Sequence, residues 1–173
     1  MDHVLLASRV LIGVVFAVSF LTKTLRKNGW SEFLDSVRDL APVLPVRTTA
    51  LAASAAEVVV IALLVPTGSA RYGFVGAVLL LLPYTTALIL AVRRGTSAPC
   101  GCFGRSSTPV SGFHVARNAL LTAVALTGAL AGQEAARAHP AWPGAVTALA
   151  AGLVAAVLVI FTDELSDVFS VKP

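Results

Sequence analysis

The chain has 173 residues, of which 57% are hydrophobic and only 13% charged, about half the charged fraction of an ordinary soluble domain. With a mean hydropathy of +0.84, that deficit excludes a soluble globular enzyme and indicates a chain that crosses a bilayer several times. The formal charge of +4 does not point to nucleic acid. The basic residues fall in short connectors between apolar runs, where they report topology and lipid headgroup contact.

Five apolar runs follow one another, at 4–22, 48–66, 72–92, 113–131 and 144–162. Each is close to the roughly 20 residues that a helix needs to cross a hydrocarbon core. Ala, Leu and Val dominate all five, and none shows the two-residue alternation of a membrane β-barrel strand. The expected fold is all-α: a polytopic membrane helical bundle with a four-helix core and a fifth transmembrane helix, forming one domain over 1–173. The start Met1-Asp2-His3 lacks the positive n-region of a signal peptide, and the first run continues into Phe20 and Leu21. The first run therefore reads as a retained span, and the protein as a multi-pass component of the cell membrane.

The connector after the first span has a pattern of its own. Trp30, Phe33, Leu34, Val37 and Leu40 recur at helical spacing, with Glu32, Asp35, Arg38 and Asp39 opposite. This spacing predicts a short amphipathic interfacial helix between spans 1 and 2, with Ser31 as N-cap and Pro42 and Pro45 ending it. It is expected to lie flat on the membrane, Trp30 at headgroup level, either as a plain connector or as a lid or docking surface. The face that carries the first and third connectors is called side B here. It holds Lys23, Arg26, Lys27, Arg38, Arg47, Arg93, Arg94, Arg105 and Lys172, against Arg71 and Arg137 on the opposite side and Arg9 inside the first span. The positive-inside rule turns side B to the cytoplasm.

Two spans later, the third connector holds the only cysteines, in Cys100-Gly101-Cys102-Phe103-Gly104. A disulfide across one intervening residue closes a small strained ring, and strained bridges are labile and suited to exchange. Arg93, Arg94 and Arg105 would favour thiolates, so Cys100 and Cys102 are candidate redox residues with Arg105 as thiolate stabiliser. A soft-metal site is a second reading, although two thiolates do not fill a tetrahedral shell and His114 is distant in sequence. An inert packed turn is the third. A stable disulfide favours the outside of the cell, in tension with the positive-inside count.

Polar groups inside the spans add a second candidate cluster. Glu57 falls near the middle of the second span, a costly position for an ionisable group and a mark of function. His114, Arg117 and Asn118 share one face of the fourth span, and Lys23 ends the first. The expected arrangement is a buried Glu57–Arg117 pair beneath the cysteine loop, joined by Lys23. It would act as a structural tie, as a proton-handling group, or as one that polarises a quinone. Pro83 should kink the third span, with Tyr84, Thr85 and Thr86 at hand for the freed backbone groups. Gly144, Ala148 and Gly152, and Gly128 with Gly132, place small residues every four, as close helix packing requires. His3 and His139 carry no evident role.

Several of these residues together resemble a known family. Phe20-Leu21-Thr22-Lys23, a proline before the second span, Glu57 within it, Cys100-Gly101-Cys102-Phe103-Gly104 and Arg117-Asn118 look like the methylamine utilisation protein MauE family, grouped with DoxX-like membrane proteins. The resemblance covers roughly residues 4–131. It implies a role in processing, transport or maturation of the methylamine dehydrogenase light (beta) subunit, a disulfide-rich protein outside the cytoplasm, beside a thioredoxin-like redox partner. It also implies an outward-facing cysteine loop.

Two classes of function follow. In one, Cys100 and Cys102 cycle between dithiol and disulfide against an exported client, with electrons passed to a thioredoxin-like partner or to a quinone in the bundle. In the other, the chain is a non-catalytic assembly or transport factor whose cysteines are structural or bind metal. The residues contain no hydrolase triad, phosphate-binding loop or nucleic-acid reader, and no metal ligand set is assigned.

Overall fold

A computed structural model of the chain describes residues 2–95, 111–131 and 142–169, with side chains described for 3–95, 111–131 and 142–161. The described residues form six α-helices: α1 (Asp2–Leu25), α2 (Gly29–Leu40), α3 (Val46–Leu64), α4 (Ala70–Arg93), α5 (Gly112–Leu130) and α6 (Trp142–Phe169). A single 3-10 turn, Thr67–Ser69, leads into α4. All but α2 are long and apolar enough to span a membrane. The chain is therefore an all-α polytopic bundle. Its helices overlap the apolar runs but are displaced or extended by a few residues, because backbone hydrogen bonding continues into the polar connectors.

The spans pack as a closed ring. α1 lies against α3, α3 against α4, α4 against α5, and α5 returns to α1. The interior holds Ile12, Val15 and Phe16 from α1, facing Val60, Phe74, Leu81 and Leu121 from the other three. α6 docks on α1. Association within a bilayer lacks a hydrophobic drive and depends on close packing, and the small residues supply it. A Cβ added at Gly152 would lie 2.6 Å from the Ala7 carbonyl oxygen, and one at Gly128 would lie 2.6 Å from the Phe74 ring. Ala148 and Ala156 are buried on the same face of α6 as Gly152. The expected stripe is thus an α1–α6 seam. Gly144 belongs to it, abutting the ring of His3, which had shown no evident role. Gly132 and His139 fall outside the described residues.

Arg9 solves a problem at the end of α3. Its Nε and Nη2 donate to the carbonyl oxygens of Leu64 and Val65, where the helix has run out of amide partners. The sequence marks Arg9 only as a charge within a span. Replacing it with methionine keeps most of the apolar stem but orphans both carbonyls. Arg9→Met is expected to lower stability by about 1–2 kcal/mol, measured by thermal unfolding in detergent. An unchanged unfolding temperature would show that the cap is dispensable.

α4 runs as one helix through Pro83. The hydroxyls of Thr85 and Thr86 donate to the carbonyls of Leu81 and Leu82. Those are their own partners four residues back, not the Leu79 carbonyl that the proline leaves without an amide.

α2 begins at Gly29, two residues before the expected Ser31 cap. Asn28 precedes it without a side-chain cap bond, and the Ser31 hydroxyl donates back to the Asn28 carbonyl at 2.9 Å. Its buried face is Gly29, Phe33, Ser36 and Val37. Phe33 and Val37 pack on Ala50 of α3, while Leu40 packs on the Leu88–Ala91 pair of α4, which Val115 of α5 also meets. The helix therefore lies across the side-B end of the ring. Trp30 is half-buried, its ring 6.0 Å from that of Phe33. On the outer face Asp35 and Arg38 pair at 2.6 Å, an exposed contact of little energetic weight.

Candidate functional site

The lid-like position of α2 closes over a buried polar cluster. Lys23 stands in the last turn of α1. A lysine there usually extends outward to the headgroups. Here its ammonium turns inward and meets Glu57 Oε1 at 2.6 Å, with side-chain exposures of only 1% and 0%. The Phe33 ring of α2 covers the ammonium, with its centroid 4.1 Å from Nζ, and the Tyr84 ring lies 5.8 Å away. Cation–π contacts of this kind gain strength where water is excluded.

Glu57 collects donors from two other side chains. Ser19 Oγ, one turn before Lys23 on α1, donates to Oε1 at 3.1 Å, and the Tyr84 hydroxyl donates to the same oxygen at 3.3 Å. The carboxylate therefore ties α1, α3 and α4 together through one oxygen. Its other oxygen, Oε2, is buried with no hydrogen-bond partner among the described residues. Glu57, Ser19, Tyr84 and Asn118 also border a void of about 20 Å³, room for a single water molecule.

On α5, His114, Arg117 and Asn118 are buried on one face with Leu121, Ala125 and Gly128, as the helical spacing predicts. His114 Nδ1 accepts from the Ser111 backbone N–H at 3.2 Å, so the imidazole helps to start the helix. Asn118 reaches the void beside Glu57. The expected order of charges is reversed, however. The ion pair that forms on Glu57 is with Lys23, the residue given only a supporting part, and not with the first choice, Arg117. A lysine stem of four methylenes lets the ammonium reach down from the end of α1 to Glu57.

Three contributors do not stand out in the sequence: Ser19, one small residue within the first span, Phe33, part of an apolar stripe, and Tyr84, expected to serve backbone groups near Pro83. A signal was present for two of them. Ser19 and Lys23 are four apart on one face of α1, and Tyr84 is a phenol deep in an apolar run, where its hydroxyl needs a partner.

Cys100, Cys102 and Arg105 lie outside the described residues. Their connector leaves α4 after Arg93 and enters α5 at Gly112, helix ends that lie on side B with α2.

The family profile described as Methylamine utilisation protein MauE matches residues 1–131. The chain belongs to the MauE family. The match ends just after α5, so the four-helix ring, α2 and the Lys23–Glu57 cluster all lie within it and α6 lies beyond. The chain is also similar to Methylamine utilization protein MauE of Paracoccus denitrificans, 38% identical over 127 residues, covering 71% of this chain and 67% of that protein. No solved structure matches the chain. Membership in the MauE family places this multi-pass membrane protein in methylamine utilisation.

Proposed function

We propose that this MauE-family chain serves the maturation of an exported disulfide-rich client, the methylamine dehydrogenase beta subunit or a similar protein, by thiol-disulfide exchange at Cys100 and Cys102. The observation that carries the reading is the attachment of the Cys-Gly-Cys connector to the side-B ends of α4 and α5. The same end of the bundle holds α2 and the buried Lys23–Glu57 pair. In the exchange, a client thiolate attacks the Cys100–Cys102 disulfide and a second client thiol resolves the mixed disulfide. The client gains an S–S bond, and the pair takes up its two electrons and two protons as a dithiol. The disulfide of a thioredoxin-like partner, or a quinone in the cell membrane, then accepts those electrons and protons. Arg105 would stabilise the attacking or leaving thiolate. The ring, tied by Glu57, would be the rigid base from which the connector works.

The test is client disulfide content in cells carrying Cys100→Ser, Cys102→Ser or both. Each variant is expected to drop correctly oxidised client to the level of cells lacking the chain. A double serine variant with full activity would overturn the exchange reading and leave a docking or transport role. Labelling with a membrane-impermeant maleimide, before and after reduction, reads the face and redox state of the pair. Labelling only after permeabilisation would place the pair in the cytoplasm and rule out direct exchange with an exported client.

A further inference from the structure

A cavity of about 420 Å³ lies between α2, α3 and α4, within the range of small-molecule sites. Its walls include Phe33 and Val37 of α2, Ala53 of α3, and Leu80, Tyr84 and Ala87 of α4. Three features restrict what it accepts. No charged residue lines it, so a phosphate or ammonium headgroup inside would lose hydration without compensation. Its rim residues Leu44, Ala52 and Pro83 are exposed in or beside membrane-spanning segments, so an occupant enters from the bilayer rather than from water. Its polar side chains are three hydroxyls, of Ser36, Thr49 and Tyr84, and Tyr84 also lines the void at Glu57 and donates to Glu57 Oε1.

Two of its walls, Phe33 and Tyr84, are the aromatic rings set around the Lys23 ammonium. An occupant is thereby held one side chain away from the ion pair. A neutral ligand with a flat ring to pack on those aromatics, carbonyl oxygens to accept from the Thr49 hydroxyl (those of Tyr84 and Ser36 already donate to Glu57 and to the Glu32 carbonyl) and an apolar tail toward the bilayer meets all three restrictions. An acyl chain uses neither the rings nor the hydroxyls.

We propose that this cavity is the binding site of a lipid-soluble quinone, its ring at the Phe33–Tyr84 end and its tail leaving past Pro83. The site is independent of the cysteines. Only the use of the quinone as final electron acceptor rests on the exchange reading. In that use the dithiol of Cys100 and Cys102 loses two S–H bonds and forms one S–S bond, and the quinone takes two electrons and two protons to become the quinol.

The full chain in lipid nanodiscs, with Trp142→Phe so that Trp30 is the sole tryptophan, is titrated with decylubiquinone. Saturable quenching of Trp30 is expected, because Trp30 stands against Phe33 at the cavity wall. Ala53→Phe places a ring in the ligand's volume and should weaken binding by about tenfold or more. Ala87→Leu gives the same readout should Ala53→Phe not yield monodisperse protein. Quenching that rises linearly with quinone and is identical in the filled variants would overturn the proposal. So would saturable quenching by a spin-labelled phosphatidylcholine that displaces decylubiquinone, which would make the cavity an acyl-chain site. Repeating the titration in the Cys100→Ser, Cys102→Ser chain separates the two ideas: binding should persist there even if client oxidation is lost.

Discussion

Lys23→Met is expected to destabilise the protein by about 3–5 kcal/mol, the usual consequence of removing one partner from a buried ion pair. Glu57 is 0% exposed and its Oε2 has no hydrogen-bond partner among the described residues. Without the ammonium, the carboxylate would depend on two hydroxyls, from Ser19 at 3.1 Å and Tyr84 at 3.3 Å. Neither carries a compensating charge, and membrane lipid offers no water to replace it. Glu57→Gln should harm as well, by leaving the ammonium with only the Phe33 and Tyr84 ring faces and a neutral amide. The double variant Lys23→Met, Glu57→Gln removes both charges. It should recover most of the loss, since replacing a whole buried pair with neutral groups of similar size is often close to neutral. Unfolding of all four proteins in the same detergent gives the coupling directly. Additive losses in the double variant would mean that the two residues act separately, and that the tie between α1 and α3 lies elsewhere.

The architecture is legible in the sequence because membrane insertion writes it in bulk composition. Five runs of spanning length, and small residues every four, are imposed by lipid on any sequence that is to pack there. Lys23, Glu57 and Asn118 were legible too, since polar groups within a span stand out against Ala, Leu and Val, whereas Ser19 and Tyr84 were not. The pairing of Glu57 with Lys23 was not legible. Lys23 and Arg117 both enter from side B, and helix positions give their depths only to the accuracy of the span boundaries. The side-chain direction that decides between them is set by α2, through Phe33 stacked on the ammonium. No periodicity reveals that contact, because in the pattern of α2 Phe33 is one apolar residue among several. The cavity was illegible for a similar reason. It exists where three helices fail to meet, and such gaps follow from packing angles rather than from any local motif.

The position of α2 depends on a residue with no side chain, so Gly29→Ala is expected to cost about 2–3 kcal/mol through overpacking. A Cβ on Gly29 would collide with the carbonyl oxygen of Thr22 and stand 3.0 Å from that of Lys23. Both obstacles are backbone at the end of α1, so no rotamer change relieves them. The start of α2 must move away from Lys23, and the Phe33 ring, now 4.1 Å from Nζ, moves with it. Helix propensity alone would favour alanine, by about 1 kcal/mol over glycine. Gly13 isolates that contribution: it lies within α1 and an added Cβ meets nothing within 4 Å. Gly13→Ala should therefore be neutral or stabilising while Gly29→Ala is destabilising. Thermal unfolding separates the two signs, and the emission of Trp30 reports whether α2 has shifted. A Gly29→Ala protein as stable as Gly13→Ala, with unchanged Trp30 emission, would show that α2 is a loose surface connector. Loss of stability with altered Trp30 emission would make the close α1–α2 approach the feature that holds the cover over the Lys23–Glu57 pair.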